Sequence, residues 1–220
     1  MKQEVFDFLN DIEKNNNRVW FAENKHRYED CKENILIDFK NIYNLLAQND
    51  ALEPMKVYRI YRDVRFSKDK LPYKTNFSMY AGRLQPFNRG GYYLQIEPGN
   101  KSFVGGGFWG PNPEDLLRVR QEIALDDELE QILNETSFKA FYGEMQGESL
   151  KTAPKGFDKN HERIDLLRKK QFLFTKSFSD EEVLAKNFDV KVIEAFEKLR
   201  PFFDYMTDVL LTNANGERNV

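Results

Sequence analysis

Apolar side chains first recur at helical spacing at Val5, Phe8, Leu9 and Ile12, which predicts a short amphipathic helix over residues 4–14. The asparagine run at 15–17 ends that pattern and offers a capped restart. Trp20, Tyr28, Cys31, Ile35, Phe39, Ile42 and Leu46 then repeat every three to four residues, predicting one long helix that ends near residue 49. Asn24 falls on the same stripe, so its amide is expected to be hydrogen-bonded, whereas His26 lies off it and is expected at the surface. After a turn at Glu53 and Pro54 the period changes to two, and a strand is predicted over 57–66. Tyr58, Ile60, Arg62, Val64 and Phe66 share one side of it, with Arg59, Tyr61, Asp63 and Arg65 on the other. Arg62 is the odd member of the packed side and needs a carboxylate there.

Residues 76–81, 92–97 and 101–108 are short, aromatic-rich and bounded by Gly or Pro, the pattern of antiparallel strands. Asn112 and Pro113 predict a capped helix running to about residue 124, with Glu114 and Asp115 favouring its positive end. Further helical turns are predicted over 127–143 and 161–169, and a strand over 171–176. Apolar residues at helical spacing from Val183 to Leu210 close the pattern, with Pro201 expected to kink or restart the helix and a polar tail expected to fray over 213–220. The predicted fold is α+β, a single domain in which N-terminal and C-terminal helices pack on a central antiparallel sheet.

Composition narrows the setting. The 220 residues are 40% hydrophobic and include 19 Phe and 10 Tyr, enough for a substantial core. The single Cys31 excludes an internal disulfide, no apolar run is long enough to span a membrane, and the N-terminus lacks signal-peptide character. A soluble, cytoplasmic protein is expected, with no membrane partner, no metal and no cofactor; its oligomeric state is open.

Charge is unevenly placed. Residues 56–91 carry nine Lys/Arg against two Asp/Glu, a balance of +7 that leaves −10 for the rest of a chain whose net charge is −3. Six of those cations, Arg59, Arg62, Arg65, Lys68, Lys70 and Lys74, fall within residues 59–74, interleaved with Tyr61, Phe66 and Tyr73. Arginine forks and mobile lysines in that density suit a phosphate or carboxylate. A second basic block over 151–176 includes Lys155 and Arg168 and is expected to lie opposite the first, with Tyr73 or Trp109 free to stack on a ring of the ligand. Asp63 is expected to pair with Arg62 and shape the loop, and His161 and Asp63 are the candidates for proton transfer if there is catalysis.

The glycines 105–107 invite a phosphate-loop reading, but no Walker or dinucleotide spacing is present, and Glu114 with Asp115 would repel a phosphate at the following helix. Close backbone packing or a strand bulge is the better reading. Ser67 and Cys31 lack an evident base.

Five blocks, NNNRVWFAENKHRYED at 15–30, RIYRDVRFSKDKLPYKTNFS at 59–78, GGYYLQIEPG at 90–99, GGGFWGP at 105–111 and PKGFDKNHERIDLLRKKQF at 154–172, resemble the family of bacterial and fungal proteins called domain of unknown function 2461. The resemblance implies that these blocks belong together and brings no activity, substrate or catalytic residue with it. Three functions stay open: an anionic, phosphate-bearing small ligand on the basic stretch; a nucleic-acid or nucleoprotein contact; or a purely structural ionic network in a protein whose function is protein–protein interaction.

Overall fold

The computed structural model describes residues 1–213, 217 and 218. Helix α1 (Gln3–Lys14) buries Val5, Phe6, Phe8, Leu9 and Ile12, as its spacing predicts. Asn17 caps α2 (Arg18–Glu23) by accepting from the Trp20 N–H. The long helix predicted from Trp20 is broken at Asn24, whose backbone N–H and side-chain amide both donate to Trp20 O, at 3.0 and 2.9 Å. Helix α3 (Lys25–Leu46) restarts there and keeps the stripe in phase, burying Tyr28, Cys31, Ile35, Phe39, Ile42 and Leu46. His26 is exposed.

Five strands form one antiparallel meander in the order β1 (Lys56–Val57), β2 (Phe77–Gly82), β3 (Gly91–Ile96), β4 (Ser102–Phe108) and β5 (Phe172–Phe178). Between β4 and β5 lie α4 (Pro113–Leu125), α5 (Glu128–Asn134), α6 (Thr136–Tyr142) and the short α7 (Ile164–Leu167). Helices α8 (Asp180–Leu184), α9 (Phe188–Lys198) and α10 (Arg200–Leu211) follow β5. Asn112 accepts from the Asp115 N–H at the start of α4, and Pro201 sits in the first turn of α10, where its missing N–H costs nothing, so it restarts the chain's helix rather than kinking it.

Period-two alternation sends Phe77, Met79, Ala81, Tyr92, Leu94, Ile96, Val104, Phe172 and Phe174 to one face, where helices including α3, α6, α9 and α10 cover them in one continuous core. Tyr92, for example, meets Phe196 at 4.9 Å and Phe203 at 5.2 Å between ring centroids. The glycine triplet belongs to β4. A Cβ at Gly106 would stand 2.6 Å from Leu199 Cδ1, and at Gly107 (φ +137°) it would stand 2.0 Å from Phe172 O. Close packing therefore explains these glycines, and a phosphate loop is not formed.

The strand predicted over 57–66 is a correction. Only Lys56–Val57 joins the sheet, continued by one bond from Tyr58 N to Ser78 O. Past Ile60 the chain closes on itself, with Tyr61 bridging Tyr73, Arg62 N donating to Pro72 O and Lys74 N donating to Ile60 O. Phe66, predicted on the packed side, is 95% exposed. The predicted 161–169 helix contracts to α7, and β5 runs two residues further than its predicted end at 176. Of the tail, 214–216, 219 and 220 lie outside the described residues; within them Thr212 bridges Arg218 instead of fraying. Among the described residues no helix is long and apolar enough to cross a membrane.

Candidate ligand-binding face

The basic loop is anchored before it is charged. Asn16 Nδ2 donates to Tyr73 O at 2.9 Å while Tyr73 N–H donates to Asn16 Oδ1 at 3.1 Å, a reciprocal pair that ties the asparagine run to the loop's return strand. The Tyr73 ring then stacks on Phe21 at 4.0 Å, and Tyr61 meets Phe21 at 5.7 Å and Tyr28 at 6.5 Å. Burial in this cluster pushes the Tyr28 phenol up to about 12. Tyr73 is therefore a buried anchor, which corrects the expectation that it stacks on a ligand. Asn16→Ala strands both Tyr73 backbone groups, and urea denaturation is expected to show a loss of about 1–3 kcal/mol.

Two of the loop's six cations are paired with acids inside the loop, and a third is tied to its backbone. Arg62 pairs with Asp69 at 2.6 Å and donates to Leu71 O at 3.2 Å, Arg65 pairs with Asp63 at 2.6 Å, and Lys70 Nζ donates to Val64 O at 2.9 Å. The expected Arg62–Asp63 buried pair is corrected on both counts: the partners are exchanged and the residues lie at the surface. The Arg65 side chain, with its backbone N–H, holds the Asp63 carboxyl below the usual carboxylate range, which makes Asp63 a poor proton acceptor. Asp69 is held low by the Leu71 N–H and then by Arg62. Lys68 is exposed.

Arg59 and Lys74 differ. Lys74 Nζ lies 5.2 Å from the Tyr58 ring centroid, Lys56 Nζ lies 5.0 Å from the same ring, and Arg59 is exposed between them in sequence. Among the described residues none of these three cations forms a salt bridge. Burial, followed by the charge of Arg59, depresses the Lys74 ammonium below the ordinary lysine value. The arrangement is a local cluster of positive charge. Lys56 belongs to the basic segment 56–91 but precedes the dense stretch 59–74, and the register that sets it opposite Tyr80 brings it to the site.

The cluster opens onto the sheet face that the helices leave uncovered. One cross-strand row runs Lys56, Tyr80, Tyr93, Gly105, Thr175, each residue opposite the next. Tyr58 meets Tyr93 edge-on at 6.2 Å, and Tyr93 meets Phe103 at 5.5 Å. Tyr80 lies over glycine: a Cβ on Gly91 would stand 2.3 Å from its hydroxyl, so Gly91 lets the ring lie against the sheet. Burial keeps the Tyr80 and Tyr93 phenols above their ordinary range and therefore neutral. Tyr80 also lines a cleft of about 300 Å³ with Arg89, Gly107 and Trp109. Trp109 is 74% exposed, and Arg89 is paired with Asp115.

The second basic block does not meet the first. Its flanks pair alongside β5, through Gln146 with Leu173 and Ser149 with Lys169, whereas the loop follows β1 at the opposite edge. Four strand spacings, roughly 19 Å, separate those edges. Lys155 is exposed there and Arg168 pairs with Asp165 at 3.3 Å. His161 Nδ1 accepts from the Arg163 N–H, which leaves Nε2 to donate to Ala124 O at 3.3 Å; Arg163 Nε donates to Ile123 O at 2.7 Å. These two side chains cap the end of α4, a structural role that uses both ring nitrogens of His161. Cys31 is buried with its thiol pushed up to about 11 by burial. Among the described residues no cluster of His, Cys, Asp and Glu could hold a metal ion.

A second ionic cluster lies inside the molecule. Arg83, 4% exposed, donates to Asp50 Oδ2 at 2.8 Å, to Asp204 at 2.7 Å and to Thr207 at 3.3 Å. Tyr92 also donates to Asp50 Oδ2 at 2.6 Å, and Arg200 Nε stands 3.6 Å from it. The signal was present in the sequence: Arg83 continues the inward set Phe77, Met79, Ala81, so a buried guanidinium was due at that position.

The fold and site together define a helix-backed antiparallel sheet with an open aromatic face and a basic anchor at one edge. The chain belongs to the family described as conserved hypothetical protein (DUF2461), which matches residues 4–205. No curated protein and no solved structure shows a significant match to it.

Proposed function

We propose that the protein binds a phosphate-bearing ligand on the open sheet face, with Lys56, Arg59 and Lys74 receiving the phosphate and Tyr58 and Tyr80 flanking the rest. The observation that carries this reading is the pair Lys56 and Lys74 at the Tyr58 ring with Arg59 next in sequence: among the described residues none of the three forms a salt bridge, although acids satisfy Arg62 and Arg65 a few residues away. Clustering like charges beside a half-buried lysine costs stability, and an anion offsets that cost. Arg65 is already paired with Asp63 at the surface, so Arg65→Met is expected to leave the ligand response unchanged and to alter the melting temperature little.

Thermal shift against nucleotides and sugar phosphates tests the reading. ATP is expected to raise the melting temperature of the wild type and to shift Lys74→Met much less. Unliganded Lys74→Met should melt at the same temperature or higher, because the substitution removes a charge that burial disfavours. An ATP shift of equal size in both proteins would contradict the proposal.

A further inference from the structure

Resting on the phosphate reading of this face, the geometry points to single-stranded nucleic acid as the ligand class: we infer that a strand crosses the sheet from the Tyr58 cations to Trp109. One base covers one ring, and the face offers more than one. Tyr58 stands at the β1 edge beside Lys56 and Lys74, Tyr80 is 37% exposed over Gly91, and Trp109 stands beyond the end of β4 with its ring largely in solvent. From β1 to β4 the path covers three strand spacings, roughly 14 Å.

The chemistry of each station fits an unpaired strand. Aromatic rings lying on a sheet can stack only on bases that are not in a duplex, and such stacking tolerates any base. The cations sit at the loop end, where they would meet a backbone phosphate. Tyr80 joins the two ends, since it faces Lys56 across the ladder and also lines the Trp109 cleft. Gly91 leaves room for the Tyr80 ring to lie flat on the sheet between the two ends, since a Cβ there would stand 2.3 Å from the Tyr80 hydroxyl. With a net charge of −3 there is no general positive surface, so attraction for a polyanion rests on local basic patches such as this one.

Fluorescence anisotropy with a labelled oligodeoxythymidine of about ten nucleotides, within the usual site sizes for such binders, tests the inference. Wild type is expected to bind it, with affinity falling roughly 20-fold between 50 and 200 mM salt if about three phosphates are contacted. Trp109→Ala, which alters an exposed ring and no core contact, should weaken binding about tenfold, as should Tyr80→Leu. Lys74→Met should weaken binding and flatten the salt dependence. Binding that ignores both ring substitutions, that inorganic polyphosphate displaces as well as the unlabelled strand does, or that a duplex matches, would overturn the inference and leave the phosphate reading standing. The same holds if ATP shifts the melting temperature and the oligonucleotide does not bind. Failure of both ligands would overturn both.

Discussion

Arg83→Met is expected to cost the fold about 3–5 kcal/mol, the usual penalty for removing one partner of a buried ion pair. The loss arises at Asp50. Its Oδ2 would keep the Tyr92 hydroxyl and a 3.6 Å approach by Arg200 Nε, but the guanidinium that donates to it inside the protein would be gone. The same side chain joins three pieces of chain, the segment after α3, the β2–β3 hairpin and α10, so unfolding should remain cooperative while its midpoint falls. The double variant Asp50→Leu with Arg83→Met removes both buried charges and is expected to recover part of the loss. Urea denaturation of the two variants measures this directly. An Arg83→Met protein as stable as wild type would show that the cluster contributes nothing to the fold.

The second large effect concerns the open face. Replacing Arg59 and Lys74 together by methionine is expected to weaken binding of a phosphate ligand by at least about 100-fold, given about 1.5–3 kcal/mol for each charged hydrogen bond removed. Folding should survive, because among the described residues neither side chain forms a salt bridge and Lys74 carries its charge against burial. A pH dependence follows with a defined sign. Folded Lys74 releases its proton below the lysine value of 10.5, so between the folded and unfolded values the unfolded chain holds more protons and stability of the free protein rises with pH. The ligand requires the charged ammonium. Affinity should therefore fall as pH rises through the depressed value, and in that window binding should take up a proton. Titration calorimetry in two buffers of different ionisation enthalpy detects that uptake.

Much of the architecture was legible because it rests on periodicity. The stripes of α1 and α3, the alternation in β2 to β4 and the Asn112–Pro113 start of α4 each follow from local spacing. The failures share a cause. Residues 57–66 alternate as a strand would, yet their charges find partners within the loop, Arg62 with Asp69 and Arg65 with Asp63, so the segment folds on itself and Phe66 is left in solvent. Alternation specifies sides and says nothing of which strand is available to pair. Asn24 likewise sits on the helical stripe while its amide takes the Trp20 carbonyl and ends the helix.

The site was half legible. A basic stretch with aromatics was visible, but its division into paired and unpaired cations depends on distances across the loop that spacing does not encode. Lys56 and Tyr58 on β1 and its continuation, Tyr80 on β2 and Tyr93 on β3 are far apart in sequence, and only the register of the three strands sets them in one place. Charge density drew the second basic block toward the first, whereas the meander puts them at opposite edges. Buried Arg83 could have been found by extending the inward alternation of β2 by one step.

Titration calorimetry of ATP into wild type and into the Arg59→Met, Lys74→Met double variant tests the central claim most directly. Measurable binding to the wild type, lost in a double variant that still melts cooperatively at the wild-type temperature or above, is the predicted result. Equal affinity for the two proteins would contradict it.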